Sequence, residues 1–229
     1  MSLTQLPLTI VVAATAKNGI GKNGGLPWPM LKKDMGYFAR VTKRVPMPKD
    51  TGSLQSDALK DTILSGTRRN VVIMGRKTWD SIPPKFRPLK DRTSIIISSQ
   101  DRSRLPSIPE DVVVASDILS GLRSLEAMVK EGRALPVGRA FVIGGSSIYG
   151  AALKLPQTNR VLLTRISCPY ECDTFFPETL GEGDQASSWA QASHAELQDF
   201  AGEEIEEGSV VDKAGDEQVN LEFRLYERA

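Results

Sequence analysis

The sequence predicts an α/β fold: one domain on a central, mostly parallel β-sheet of about eight strands, with an antiparallel C-terminal edge strand and about four flanking helices. Three observations predict it. Six short runs are almost continuously apolar and β-branched, as strands covered on both faces by helices must be. A seventh run, near the C-terminus, alternates apolar and polar side chains and suits an antiparallel strand. Segments with helical spacing fall between the strands.

The six apolar runs are Thr9–Ala14, Asn70–Met74, Thr93–Ser98, Asp111–Ala115, Ala140–Ile143 and Arg160–Thr164, and the alternating one is Asn220–Tyr226. The first run has a rival reading, because Leu6–Ala16 imitates the apolar core of a signal peptide and Ala14–Ala16 its cleavage site. No basic segment accompanies it, the first charged side chain being Lys17, so it reads as a strand. Helices are expected over Met30–Thr42, where Leu31, Met35 and Phe38 are spaced i, i+4, i+7, and over Ser116–Lys130, which opens on a Ser or Asp cap. Ser147–Leu155 is a shorter candidate closed by Pro156. Two polar stretches read as surface insertions on the single domain 1–229. The first is 44–69, with two helical turns expected over Asp57–Leu64; the second is 203–217, which holds seven acidic residues and reads as a solvated loop.

Composition excludes several function classes. At 229 residues, 40% hydrophobic and 25% charged, the chain buries a sizeable core. Two cysteines make no disulfide framework, and one histidine leaves little room for a metal site or histidine catalysis. Cys168 and Cys172 therefore read as free thiols in a reducing compartment, and no metal is expected. No apolar run approaches ~18 residues, so no membrane span is expected and the chain reads as soluble and cytoplasmic. The net charge of +1 hides an asymmetry: residues 1–100 carry 17 basic and 6 acidic side chains, and the rest carry 12 and 22. A near-neutral total argues against nucleic acid, while the basic first part suggests an anionic ligand.

Four motifs carry chemistry. Gly19–Gly24 matches G-x-G-x-x-G after the first strand, but Pro27 and Pro29 forbid the helix that a dinucleotide fingerprint needs at its third glycine. What remains is a glycine-rich loop of low rigidity, able to let a ligand approach the backbone. Asp34 shares the stripe of Leu31 and Phe38. It is either a first-turn carboxylate helped by a Pro29 near the first helical position, or a buried group that needs a cationic or N–H partner. Gly144–Gly145 joins a strand to a helix, and the serines after it are candidate caps that leave helix N–H groups for a phosphate. Gly75–Trp79 places Arg76, Lys77 and Thr78 at the end of another strand, a weak phosphate signal alone.

Together these segments resemble the dihydrofolate reductase family. Asn18–Leu31 (NGIGKNGGLPWPML), Val72–Pro83 (VIMGRKTWDSIP), Arg87–Arg92 (RPLKDR), Ile143–Tyr149 (IGGSSIY) and Thr164–Pro177 (TRISCPYECDTFFP) follow the family's order and approximate spacing. The resemblance covers Leu8 to Pro177 well and the last strand loosely, and the length suits a long eukaryotic, fungal form. It implies NADPH-dependent reduction of 7,8-dihydrofolate to 5,6,7,8-tetrahydrofolate in support of one-carbon and thymidylate metabolism. It also implies binding of antifolates and a monomeric state.

Residue by residue, the resemblance makes Asp34 the catalytic acidic group that binds the pterin, with Thr164 hydrogen-bonded to it. Met35, Phe38, Ile82, Leu89 and Ile143 match the apolar positions around the substrate's rings. Val11, Val12, Leu26, Ser81 and Tyr149 complete the substrate set, and Arg92 matches the arginine that pairs with the α-carboxylate of the glutamate tail. For the cofactor, Gly75, Arg76, Lys77 and Thr78 match residues near the adenosine phosphates. Ser98 and Ser99 fall where the 2′-phosphate is recognised, a task that Arg76 or Arg102 would share. Gly144, Gly145, Ser146, Ser147, Ile148 and Tyr149 match the pyrophosphate and nicotinamide contacts, with the Gly144–Gly145 peptide cis. Ala13, Gly19, Ile20, Gly24 and Gly25 match the nicotinamide side, and Gly19–Trp28 would act as a mobile lid. Two rivals stay open on the residues alone. One is a related pterin or pyrimidine reductase; the other is a non-catalytic nucleotide-binding protein that keeps the fold.

Overall fold

The computed structural model describes residues 2–45, 67–105, 107–180, 188–214 and 217–228. In chain order the strands are β1 (Leu8–Thr15), β2 (Gly19–Gly21), β3 (Arg69–Gly75), β4 (Arg92–Ile97), β5 (Val113–Ala115), β6 (Val137–Val142), β7 (Thr158–Ile166), β8 (Thr174–Phe175), β9 (Trp189–Gln191), β10 (Val210–Ala214) and β11 (Glu217–Arg228). The helices are α1 (Lys32–Lys43), α2 (Arg76–Ser81), α3 (Ile118–Lys130), α4 (Ser146–Leu153) and α5 (His194–Ala201). All seven predicted strands and all three predicted helices are present, within a few residues of their expected ends. The fold class is the predicted α/β one, its sheet mixed and largely parallel. Most of the insertion expected at 44–69, including the two turns over Asp57–Leu64, lies outside the described residues.

The chain forms two compact units, Met1–Pro7 with Thr42–Phe141 and Leu8–Val41 with Val142–Ala229. In the first, the strand order is β6-β3-β4-β5, and β3, β4 and β5 are parallel. Val71 to Met74 are fully buried, as their unbroken apolar run requires. Helix α3 is held at its start by a capping box, in which the Asp117 carboxylate takes the Ser120 N–H at 2.8 Å. It lays Ile118, Leu122 and Leu125 into the core.

In the second unit the order is β10-β11-β7-β1, with β9 also on β11 and with β2 and β8 as a separate pair. β1 and β7 are parallel, and β11 runs antiparallel to β7, as its alternating pattern predicts. The outer side of β11 is itself paired, to β10 and β9. This alters the picture of 203–217 as a solvated loop, because 210–214 form a strand. The alternation Val210 in, Val211 out, Asp212 in is strand periodicity hidden inside an acidic run.

Helix α1 begins at Lys32, three residues after Pro29, so Pro29 does not occupy the first helical position. Its buried stripe is Leu31, Asp34, Tyr37 and Val41, turned from the expected Leu31, Met35 and Phe38. Met35 is exposed and Phe38 half-buried.

Candidate active site

The second unit gathers the residues around Asp34. The Asp34 carboxyl is 8% exposed and hydrogen-bonded to the Thr164 hydroxyl. Thr164 is aligned with Ala13 in the parallel β1–β7 pairing, so the sheet fixes its position. Burial pushes the Asp34 carboxyl up to about 6; the Thr164 bond pulls it down, and the like charge of Asp212 adds to the rise. A first-turn dipole role is the weaker of the two readings left open, because a solvated helix-end carboxylate would not be held in a dry stripe.

Tyr149 is buried at the start of α4, where its hydroxyl donates to the Val11 carbonyl at 2.8 Å. Its ring meets Phe176 edge-on, with centroids 5.4 Å apart. Gly144 presses on that ring from a backbone φ of 118°, and a Cβ there would stand 3.2 Å from the Tyr149 hydroxyl oxygen. The Gly144–Gly145 peptide is cis. The serines that follow do not cap α4. The cap residue is Gly145, which has no side chain to accept a helix N–H, and the Ser146 hydroxyl instead donates to the Phe175 carbonyl at 2.6 Å. Val12 is buried, Ala13 and Ile143 are half-buried, and Leu26 is 56% exposed.

The glycine-rich loop is more ordered than its composition suggests. Asn23 and Gly24 both have positive φ, the geometry of a two-residue hairpin turn, and Lys22 and Gly25 exchange backbone hydrogen bonds of 3.0 Å. The Asp173 carboxylate takes the Asn23 N–H at 2.7 Å, and Lys22 pairs with Glu171. Gly19 packs so closely on Cys172 that a Cβ would overlap its sulfur. Both cysteines are free thiols. Ile20 is half-buried between these anchors, and Gly25 is exposed.

The first unit holds the cationic positions. Arg92 is buried at the start of β4, where its Nη1 donates to the Thr42 hydroxyl at 2.8 Å and its Nε to the Lys90 carbonyl at 3.1 Å. Burial pulls its pKa down, with Asp91 opposing. Leu89 and Ile82 are half-buried, whereas Ser81 is exposed with its hydroxyl on the Thr78 carbonyl at 2.7 Å. At the β3 end, Gly75 leads into α2, where Lys77 is exposed and Arg76 is in a 3.2 Å ion pair with Asp80.

At the end of β4, Ser98 is buried and its hydroxyl accepts the Gln100 N–H at 3.0 Å, whereas Ser99 is exposed. Arg102 is committed to the protein's own backbone. Its guanidinium donates to the carbonyls of Val112 and Pro109, both at 2.6 Å, and of Ile108 at 3.3 Å, clamping that loop.

Three further residues of the second unit, Trp28, Tyr37 and Asp212, take no individual role from the sequence. The Trp28 indole N–H and the Tyr37 hydroxyl are buried without a partner among the described residues. Asp212 arrives from a distant strand. The hydroxyl of Tyr37 is pushed up by burial first and then by Glu203 and Asp34. Only Trp28 has a local signal, as the aromatic between two prolines in LPWP. Among the described residues, no three His, Cys, Asp or Glu side chains gather as metal ligands, and no helix is long and apolar enough to cross a membrane.

The second unit thus holds a buried carboxyl raised to about 6 beside glycine-built turns, and the first unit holds cations at its strand ends. The family model for dihydrofolate reductase matches residues 59–205. The dihydrofolate reductase of Schizosaccharomyces pombe is 38% identical over 226 residues, which is 96% of this chain and 46% of that protein. This chain thus spans about half the length of that relative. The enzyme of Pneumocystis carinii is 34% identical over 98% of both chains, and that of Cryptococcus neoformans is 38% identical over 87% of each. The chain belongs to the dihydrofolate reductase family, and its similar relatives include fungal members.

Proposed function

We propose that this chain, as one domain, reduces 7,8-dihydrofolate to 5,6,7,8-tetrahydrofolate with NADPH, in the cytoplasm and as a monomer. In this role it supplies one-carbon and thymidylate metabolism. The observation that carries the reading is Asp34: a carboxyl 8% exposed, raised to about 6, with one protein hydroxyl as its hydrogen-bond partner. A pterin offers the N–H and amine donors that such a group lacks.

The chain's groups fit the cofactor. The donor set is cationic or amide in kind, with Arg76 and Lys77 after β3 and a helix α4 that begins without a side-chain cap. Gly75, Arg76, Lys77 and Thr78 would hold the adenosine phosphates, and Gly144 to Tyr149 the pyrophosphate and nicotinamide. Ser98 and Ser99 would meet the 2′-phosphate with Arg76. Ala13, Gly19, Ile20, Gly24 and Gly25 would face the nicotinamide. Bound NADPH supplies the hydride.

Asp34 binds and orients the pterin and raises the proton affinity of N5, to which a water delivers the proton. Thr164 fixes the carboxyl's rotamer. Leu26 and Met35, both apolar and exposed, offer faces for the substrate's rings, and Phe38 and Ile143 line the same set. Arg92, its fork already oriented by Thr42 and the Lys90 carbonyl, takes the α-carboxylate of the glutamate tail. Val11 and Val12 contribute backbone and apolar contact, and Ser81, Ile82 and Leu89 the contact with the aminobenzoyl part. The pinned Lys22–Gly25 turn moves as a unit when the loop excludes water.

The test is the loss of NADPH absorbance on adding dihydrofolate, and its inhibition by methotrexate. Well-folded protein that consumes no NADPH overturns the reading.

A further inference from the structure

Helix α1 carries Asp34 in its first turn, yet the residues before it, Pro29, Met30 and Leu31, have no side-chain acceptor to cap it. The acceptor comes from the far end of the chain. Oδ2 of Asp212, 4% exposed, takes the Lys33 N–H at 2.6 Å, and its Oδ1 takes its neighbour Lys213's N–H at 2.8 Å. In the β10–β11 pairing Asp212 is aligned with Val219, and Val219 is in the buried cluster that includes Trp28 and Leu31. The acidic hairpin is therefore seated on the segment that opens α1, with the buried Asp212 carboxylate at the helix N-terminus, where a negative charge is favoured.

We propose that Asp212 is a positioning residue for Asp34: its carboxylate fixes the first turn of α1 so that the Asp34 carboxyl meets Thr164. The inference rests on the reading of Asp34 as the pterin-binding group. Electrostatics agrees, since Asp212 is the charged group that adds to the upward shift of Asp34. Among the described residues, the other titratable groups coupled to Asp34 are two buried phenols, Tyr37 on α1 and Tyr149 on α4, both pushed up by burial and therefore neutral at working pH. Glu203 and Arg40 act on Tyr37 and form a 2.7 Å ion pair with each other.

Two substitutions separate the geometry from the charge. Asp212→Asn keeps one oxygen acceptor, for the Lys33 N–H, gives up the bond to the Lys213 N–H and removes the charge; Asp212→Ala removes the charge and both acceptors. The first measurement is the titration of the Asp34 carboxyl by carbon NMR in the ligand-free full chain, assigned by comparison with Asp34→Asn. In Asp212→Asn the Asp34 midpoint is expected to fall by about half a unit or more, the scale of a lost like charge nearby. An unchanged midpoint overturns the proposal, whether or not the chain turns over dihydrofolate.

The second measurement is the pH profile of dihydrofolate reduction. Asp212→Asn should move its inflection down by the same amount with kcat at the optimum within about twofold, whereas Asp212→Ala should lower kcat by about threefold to tenfold as Asp34 loses its alignment. If the parent is inactive on dihydrofolate, the proposed function fails and the NMR titration alone decides this inference. If the parent is active and both variants keep its profile and kcat, the inference fails and the function stands. Should Asp212→Ala not fold, Asp212→Asn carries the test by itself.

Discussion

The Thr42 hydroxyl accepts a 2.8 Å hydrogen bond from Nη1 of Arg92, and both side chains are buried. Thr42 is itself held by Asn70, whose amide donates to the Thr42 carbonyl at 3.0 Å while its oxygen takes the Arg139 N–H at 2.8 Å. The guanidinium is thus oriented by neighbours that are themselves fixed to β3 and β6. Thr42→Val deletes the hydroxyl at nearly constant volume. We expect KM for dihydrofolate to rise about fivefold, the effect of about 1 kcal/mol, with kcat within twofold. Arg92→Ala should cost more, about 2–4 kcal/mol, through KM, because a charged hydrogen-bonded pair to the carboxylate is lost. Steady-state kinetics with full dihydrofolate and with a substrate lacking the glutamate tail separates these, since the truncated substrate should not sense either change.

Asp34 makes a paired prediction of activity and stability with opposite signs. Asp34→Asn should cut turnover by about 10²-fold or more, in the range of general acid–base effects. The carboxyl rises from 3.8 to about 6 on folding, so the folded chain holds its proton more tightly than the unfolded one. That contribution to stability is fully present below the unfolded pKa and is lost as pH rises through the folded one. At neutral pH the buried charge then costs roughly 3 kcal/mol as an upper limit, from about two pKa units. Asp34→Asn should accordingly melt higher than the parent at about pH 8 and lose that advantage at about pH 4. Thermal melts at the two pH values check it; an equal or lower Tm at the higher pH refutes the burial argument.

The two arginines considered for the 2′-phosphate separate cleanly. Arg102 donates three hydrogen bonds to backbone carbonyls, so Arg102→Ala should lower stability by about 1–3 kcal/mol and leave the preference for NADPH over NADH unchanged. Among the described residues Arg76 is tied to the exposed Asp80 alone, an i,i+4 surface pair worth little. Arg76→Ala should raise KM for NADPH by about tenfold, leave KM for NADH nearly unchanged, and hardly affect the melting temperature. Cofactor kinetics beside a urea titration reads both.

What was legible in the sequence followed from burial on two faces. An unbroken run such as Asn70–Met74 has few ways to fold except as an inner strand, and β3 is that strand. The stripe that includes Leu31 and Asp34 likewise marked a carboxyl in a dry place. Short elements were missed for a physical reason: β2 is three residues, two of them glycine, and β8 is two residues, too little for any periodicity. Strand β10 was hidden because charge dominates its neighbourhood, although Val210 and Asp212 point inward. Helix α5 did carry a readable signal, the capping box of Ser193 and Glu196. No local pattern links Asp212 to Lys33, because the contact exists only once β10 pairs with β11.

Gly144 and Tyr149 supply the last prediction. A Cβ at Gly144 would stand 3.2 Å from the Tyr149 hydroxyl oxygen, and the backbone φ of 118° is one that side chains other than glycine rarely tolerate. Gly144→Ala should therefore destabilise the chain through two separable causes, backbone strain of about 1–3 kcal/mol and crowding of the phenol. Tyr149→Phe removes the 2.8 Å bond to the Val11 carbonyl and should cost about 1–2 kcal/mol by itself. In the double variant the atom nearest the new methyl is gone, so the combined loss should be smaller than the sum by about half a kcal/mol or more. Strict additivity in urea unfolding would mean that the methyl does not press on the hydroxyl. The cost of Gly144→Ala would then lie in the backbone and in the ring carbon that a Cβ would meet at 3.3 Å, which phenylalanine keeps.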